Sequence, residues 1–309
     1  MAKDATNTMQ TFNSSNRCNS MPQATYNNGT ITVPSGSIIA LEDERDGNVY
    51  TIAKLADGNC WMTENLRLDN TATITTANTN NPLNDGTNVI LKNDYTNNLI
   101  SNKLSATSDT WCGNSDAACE DQTILNTNNT NLGGKNASGA DLISTPGYPI
   151  NSGTSGQQGS TFSWYSYGNY YSWAAAMANT NSLDSYTASE GANTSICPTG
   201  WHLPYGNNSN TGNTAGGFYY LNQQMGKNTS TQGSREWRMF PNNFIYSGYW
   251  HGSSAGIRGS YGGYWSSSAS DSFSAYGLFF GSSSVGPGTK SYGKYYGYTV
   301  RCVAGGSGS

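Results

Sequence analysis

The sequence predicts a disulfide-stapled α+β domain, and three observations carry that expectation. Short β-rich runs bounded by Asp-Gly-Asn turns fill residues 37–68, two apolar segments of helical density lie near residues 170–177 and 218–225, and six cysteines are spread over the chain. Two helices set between groups of strands make an α+β class. At 309 residues the chain can bury one large core or two modest ones, so a single elaborated domain is possible.

The first strands form a meander. Ile38-Ile39-Ala40-Leu41 is apolar, Asp46-Gly47-Asn48 reads as a tight turn, and Val49 to Leu55 is β-rich and alternating. A second turn, Asp57-Gly58-Asn59, leads into Cys60-Trp61-Met62, which completes a hairpin. Residues 69–160 are dense in Asn, Thr, Ser and Gly with few clustered apolar residues, and are read as a long irregular insertion. Order is expected again at Phe162-Ser163-Trp164-Tyr165. The run Tyr170 to Met177, with Trp173-Ala174-Ala175-Ala176 at its centre, has the apolar density of a short buried helix. Phe218 to Met225 predicts a second helix, with apolar residues at 218, 221 and 225 and Gly226 as its stop. Short strands and turns follow to Val303.

The cysteines are Cys18, Cys60, Cys112, Cys119, Cys197 and Cys302. None stands at metal-ligand spacing, and His202 and His251 are the only histidines, so neither zinc nor another metal or cofactor is expected. Disulfides are the preferred reading, with six reduced core thiols as the alternative. Cys112 and Cys119 could close a local loop; a Cys197–Cys302 pair would close a loop of about 100 residues, for which chain entropy gives ~4.7 kcal/mol. No apolar run reaches the roughly 18 residues of a membrane-spanning helix. The opening Met-Ala-Lys-Asp is not a signal peptide, and a disulfide protein needs an export route, so a native leader is expected to be missing from this sequence. Residues 305–309, Gly-Gly-Ser-Gly-Ser, have linker composition.

Charge excludes whole classes of partner. A net charge of −4 with only 15 Lys and Arg argues against nucleic acid or an anionic membrane, both of which require a basic footprint. What stands out instead is an aromatic and glycine-rich stretch. Between residues 241 and 300 the charged side chains are Arg258, Asp271, Lys290 and Lys294, whereas fifteen Phe, Tyr or Trp residues alternate with Gly and Ser. Tyr and Trp offer rigid amphipathic contact area at low entropy cost, and Gly and Ser supply adaptable hydrogen bonding, as in antibody-like paratopes.

Four segments in order carry a family resemblance. They are Asp46-Gly47-x-x-Tyr50-Thr51-Ile52-Ala53 running to Cys60-Trp61-Met62-Thr63-Glu64-Asn65-Leu66; Tyr167-Gly168-Asn169-Tyr170-Tyr171-Ser172-Trp173; Cys197-Pro198-Thr199-Gly200-Trp201-His202-Leu203-Pro204; and Tyr264-Trp265-Ser266-Ser267-Ser268 with Val300-Arg301-Cys302-Val303. Together they resemble the FISUMP domain, the major paralogous domain of Fibrobacter succinogenes, found in exported bacterial surface proteins. The resemblance spans residues 37–304 as one domain, with 69–160 as a poorly matching insertion and 1–36 as a lead-in. Met9-Gln10-Thr11-Phe12 to Cys18 is similar to the family's lead-in, which implies a Cys18–Cys60 bridge. The fold implied is the C-type-lectin-like or formylglycine-generating-enzyme-like one, with two helices and twisted antiparallel sheets.

That fold also hosts the variable proteins of diversity-generating retroelements, whose template-directed changes at adenines convert Asn codons into codons for Gly, Ser, Tyr, Phe, His, Asp or Ile. The resemblance therefore makes residues 245–298 a candidate variable region. In Ala275 to Pro287 the chain departs from an Asn-containing family pattern at Gly277, Phe279, Gly281, Ser284 and Gly286. Side chains alternate along a strand, so 277, 279 and 281 share one face and Leu278 and Phe280 the other; if the latter pair packs inward, the departing positions point to solvent. Further candidate contacts are Tyr249, His251, Gly256, Ile257, Tyr261, Gly263, Asp271, Ser272, Phe273, Tyr292, Tyr296 and Tyr298, although Tyr296 and Tyr298 share strand parity with Cys302 and could be core.

Trp201, Tyr264 and Trp265 are expected in the core, His202 as a hydrogen-bonded core histidine, and His251 as a contact. Glu42, Asp43, Glu44 and Asp46 could supply calcium ligands but fit an ordinary solvated turn better. The Glu-Pro-Asn, Gln-Pro-Asp and Trp-Asn-Asp motifs of calcium-dependent lectins do not occur, nor do the reactive cysteine pair of a formylglycine-generating oxidase, a nucleophile elbow, a P-loop or a dinucleotide fingerprint. The expected function is non-enzymatic: an exported protein whose carboxy-terminal surface binds a protein or other ligand on a target cell or host. Substitution of Phe279 or Tyr261 is then expected to spare folding. A fixed-sequence adhesin or carbohydrate-binding or envelope-structural module is the alternative, and a degraded oxidase a third.

Overall fold

A computed structural model describes residues 3–12, 17–27, 30–66, 68, 170–177, 195–206, 216–226, 234–238, 240–251, 254–257, 260–271 and 273–304. The insertion 69–160, with Cys112 and Cys119, and the segment Phe162 to Tyr165 fall outside these residues. In chain order the strands β1 (Lys3–Thr8), β2 (Thr25–Asn27), β3 (Thr30–Thr32), β4 (Ile38–Glu42), β5 (Val49–Lys54) and β6 (Cys60–Met62) precede the helices α1 (Trp173–Ala176), α2 (Phe218–Gln224) and α3 (Arg235–Arg238). Six more strands follow: β7 (Tyr249–His251), β8 (Ser254–Gly256), β9 (Gly262–Ala269), β10 (Ser274–Phe280), β11 (Val285–Gly293) and β12 (Val303–Ala304). The described residues are thus mostly sheet with short helices, an α+β class.

The expected hairpins form where the turn chemistry puts them. Gly47 takes φ +75° between β4 and β5, and Asp46 Oδ1 accepts from the Asn48 amide. Gly58 takes φ +81° between β5 and β6, where Asp57 accepts from the Asn59 amide and from the Trp61 indole N–H at 3.0 Å. A left-handed glycine and an Asx side chain satisfying the turn amides are what make these two-strand reversals tight. Helix α1 starts at Ser172, whose hydroxyl accepts from the Ala175 amide. Helix α2 buries Phe218 and Leu221 and ends at Met225, after which Gly226 takes φ +75°.

Two sheets organise the domain. The larger has the order β1-β4-β5-β6-β12, parallel only between β1 and β4; the smaller has the antiparallel order β11-β10-β9. The segment Tyr298–Ala304 joins them. Tyr298 pairs with Tyr171, Thr299 with Gly263 and Trp265, the Val300 carbonyl accepts from Leu66, the Cys302 carbonyl from Met62, and Val303 pairs with both His202 and Trp61.

Apolar side chains alternate to both faces of these strands and fill two cores. One gathers Leu41, Ile52, Met62, Trp173, Trp201, Trp265 and Val300; the other gathers Trp61, Phe218, Trp237, Phe244, Tyr264, Leu278 and Phe280. Trp201, Tyr264 and Trp265 are fully buried, as expected from their cost of exposure. The lead-in is part of the first core: Met9 and Phe12 are buried, the Phe12 ring lies 5.4 Å from that of Trp201, and the Trp201 indole N–H donates to the Met9 carbonyl.

Disulfides join Cys18 to Cys60 and Cys197 to Cys302, spanning 42 and 105 residues. Chain-entropy arguments assign these closures about 4 and about 5 kcal/mol. The acidic run before the first turn is a structural knot. Arg45, buried, donates from Nε and Nη2 to the Asp43 carboxylate and from Nη1 to the Ile196 carbonyl. Burial would raise the Asp43 pKa, but the Arg45 guanidinium holds it below the usual value. Thr8 donates to Glu44 and Asp46 caps its own turn, so the cluster is committed to the fold.

Asp57 works the other way. Burial pushes its pKa up to about 6, against the opposing hydrogen bonds from Asn59 and Trp61. A folded-state pKa above the unfolded value favours the protonated form, so this stabilisation is complete below about pH 4 and is lost as pH rises through about 6. Urea unfolding midpoints should therefore rise on acidification from pH 7 towards pH 5 by a component absent from Asp57→Asn. Parallel pH profiles of the two proteins would refute this.

Candidate functional site

The carboxy-terminal aromatics form one continuous cluster graded from core to solvent. At its base Trp265 meets Tyr298 at 4.8 Å between ring centroids, and Phe279 meets Tyr298 at 4.9 Å and Tyr292 at 4.4 Å. Tyr249, Tyr261, Tyr292 and Tyr296 form a half-buried middle tier. Tyr249 lies edge-on to Tyr296 at 5.5 Å, and the Tyr261 and Tyr292 hydroxyls are 3.2 Å apart. At the rim, His251 stacks on Tyr296 at 4.6 Å and Tyr295 stacks on the same ring at 4.8 Å. Each tier rests on the one below, so the outer rings are held by packing rather than left on free rotors.

Glycine makes this packing possible. A Cβ on Gly263 would sit 2.2 Å from the Tyr298 ring, one on Gly262 2.3 Å from the Phe280 ring, and one on Gly256 2.7 Å from the Tyr249 ring. The rings lie directly on bare backbone, which is the physical content of the interleaved Gly and Tyr in this stretch.

The structure sorts the expected contact residues into three groups. His251, Ile257, Asp271 and Phe273 are exposed; Tyr249, Gly256, Tyr261, Gly281, Ser284, Tyr292 and Tyr296 are half-buried. Ser272 falls outside the described residues. Gly263, Gly277, Phe279 and Gly286 are buried, which corrects their assignment to a solvent face, and Tyr298 is buried as its shared parity with Cys302 allowed. The alternation along β10 is as expected, but both of its faces are covered: Leu278 and Phe280 enter one core and Phe279 the other. Gly277 has no room for a side chain either, because a Cβ there would lie 2.3 Å from the Tyr264 carbonyl oxygen. Gly281 differs from these. Its nearest neighbours would be 3.8 Å from an added Cβ, so it accepts substitution.

Tyr295, 42% exposed, is the rim residue that strand parity misses. The chain turns after β11, with the Tyr296 amide donating to the Gly293 carbonyl, so alternation counted back from Cys302 fails there. After β8, Ile257 is 51% exposed and takes φ +48°, a left-handed conformation that is costly for a β-branched residue.

Two of the charged side chains in this stretch are committed to the fold. Lys294 is buried with its ammonium over the Trp173 ring, and Asp271 accepts from the Phe273 and Ser274 amides as the cap of the β9–β10 turn. Burial, then neighbouring Tyr292, raises the Tyr261 hydroxyl pKa, and burial likewise raises those of Tyr296 and Tyr298. These hydroxyls therefore stay neutral at physiological pH and serve as hydrogen-bond donors and acceptors. His202 is half-buried, with Nδ1 2.7 Å from the Leu203 carbonyl and its ring stacked on Tyr205 at 4.9 Å, in keeping with a structural histidine. Among the described residues no three His, Cys, Asp or Glu side chains converge as a metal site. No protein-family model, curated protein or solved structure matches the chain.

Three substitution outcomes follow from this geometry. Phe279→Ala should cost about 3–5 kcal/mol of unfolding free energy, as for a large core aromatic, whereas Gly281→Ser should be within about 0.5 kcal/mol of wild type in the same denaturant titration. Ile257→Gly should raise the thermal midpoint by relieving the left-handed strain at an exposed position; an unchanged or lower midpoint would show that Ile257 is not strained.

Proposed function

We propose that this is a non-enzymatic, exported binding protein of the lectin-like fold that its motifs resemble, which engages a protein or other ligand on a target cell or host through the rim of the aromatic cluster. One observation carries the proposal. The three exposed large hydrophobic side chains among the described residues, Ile257, Phe273 and Tyr295 at 51, 72 and 42% exposure, all fall within residues 245–298. Phe273 and Tyr295 sit at one end of the site, where the Lys294 amide donates to the Phe273 carbonyl. Exposed aromatic and aliphatic groups around half-buried tyrosines have the make-up of a hot-spot region, and their pre-packing lowers the entropy cost of binding. The two disulfides fit an oxidising, extracellular compartment, and no described helix is long and apolar enough to cross a membrane.

Diversification by a retroelement belongs to the same proposal, with its positions narrowed to those that tolerate change: His251, Ile257, Phe273, Gly281 and Tyr295. The burial of Phe279 and Tyr298 and the closed sites at Gly263 and Gly277 favour a second reading, a fixed-sequence adhesin or glycan-binding module. Sequencing of sibling copies separates the two. Adenine-linked changes clustered at the tolerant codons support diversification, and an invariant segment without a nearby template refutes it.

Binding itself is tested with fluorescently labelled protein on intact cells from the source community. Cell labelling should fall at least about tenfold in a Phe273→Ser, Tyr295→Ser double variant whose thermal midpoint matches wild type. Equal labelling by both proteins would sink the assignment of this face.

A further inference from the structure

Among the described residues three guanidinium groups are buried, and the chain satisfies two of them with its own atoms. Arg45 has the Asp43 carboxylate and the Ile196 carbonyl. Arg301 donates to Asn65 Oδ1 and to the carbonyls of Asn242 and Asn243. Arg238, at the end of the single-turn helix α3, is only 9% exposed, and its Nε and Nη1 are buried with no hydrogen-bond partner. Its guanidinium carbon lies 4.6 Å above the Tyr246 ring, which screens one face of the group but accepts none of its in-plane N–H bonds. The Tyr246 hydroxyl is itself engaged with Ser234 at 2.8 Å. The salt bridges among the described residues are Arg17–Asp4 and Arg45–Asp43, neither of which involves this group.

A guanidinium cannot escape this by losing its proton, as a buried lysine can. Burial lowers its pKa, with only Tyr246 opposing, yet the group stays cationic. A buried, unpaired cation costs several kcal/mol, and an oxyanion is the chemical partner that two unused donor nitrogens and a positive charge select.

We propose that Arg238, backed by Tyr246 and Ser234, is the anchor of an oxyanion-binding site between α3 and the Phe244–Tyr246 segment, taking a carboxylate or a tetrahedral phosphate or sulfate group. The site is independent of the aromatic rim. Arg238 and Tyr246 lie on the side of the second core, where Tyr246 packs on Phe280 at 5.4 Å. Because Nε and Nη1 are closed to solvent, entry requires a local displacement of the Arg238 end of α3, while Trp237 keeps the helix anchored in the second core.

Thermal unfolding of the full chain in acetate, phosphate or sulfate, each titrated against chloride at constant ionic strength, tests this. A saturable rise in midpoint is expected with at least one oxyanion, and its apparent affinity should be at least about tenfold weaker in Arg238→Met. Saturation by acetate marks a carboxylate site, and saturation by phosphate or sulfate alone marks a tetrahedral one. In chloride, Arg238→Met should be no less stable than wild type, since it removes the charge and keeps an apolar stem. An equal response in both proteins would reflect general salt exclusion and overturn the site. Equilibrium dialysis of wild type against labelled phosphate and labelled acetate gives a check that needs no variant: one equivalent bound supports the site, and none of either anion overturns it.

Discussion

The buried guanidinium of Arg301 is the constraint on which the architecture depends. It is 1% exposed, lies 4.2 Å from the Phe244 ring, and is held by amide oxygens from Asn65, Asn242 and Asn243. Burial draws its pKa down to about 10, so it remains a cation and its oxygen partners cannot be withdrawn without leaving a buried charge unpaired. Through it, the segment after β6, the loop before β7 and the last strand are fixed to one another. On either side of it Val300 and Cys302 hydrogen-bond to Leu66 and Met62, and Cys302 is bonded to Cys197. The two sheets therefore meet along one short stretch of chain that could not shift register without breaking a disulfide, a ladder and a charge site together.

The aromatic face rests on this stretch. Tyr298 and Thr299 belong to the same segment, the Tyr298 ring packs against Gly263, and Thr299 donates from its hydroxyl to the Gly263 carbonyl. The tiers above inherit that rigidity: Phe279 and Tyr292 pack on Tyr298, Tyr296 on Tyr292 and Tyr249, and His251 and Tyr295 on Tyr296. A rim built this way presents side chains whose conformational entropy is already largely lost, an advantage for binding and a limit on variation. Residues that only touch solvent and the rim are replaceable. Those in the lower tiers also form the core, and changing them trades recognition against folding.

The three buried arginines show how differently one chain can treat the same group. Arg45 is neutralised by a carboxylate two residues away, a local solution within one turn. Arg301 is solvated by distant amide oxygens, which makes it a link between remote segments. Arg238 has an aromatic face and no in-plane acceptor, which leaves part of its bonding capacity for something outside the chain.

Much of the local structure was legible in the residues themselves. Asp-Gly-Asn turns, alternation from Val49 to Lys54, apolar residues at 218, 221 and 225 and a glycine stop at 226 each act within a few residues, so the sequence determined the hairpins and the second helix. Cysteine number and spacing allowed the Cys197–Cys302 bridge without selecting it, and the Cys18–Cys60 bridge was implied only by the family resemblance. Tertiary structure decided what periodicity cannot encode: which face of a strand is covered, and by what. Alternation correctly placed Phe279 opposite Leu278 and Phe280, but β10 is sandwiched between two cores, so neither face is free. Tyr295 escapes alternation through the turn after β11, and Arg238 is set by its placement against the Tyr246 ring. Side-chain direction is a local property of the backbone, whereas burial depends on what the rest of the chain brings against it.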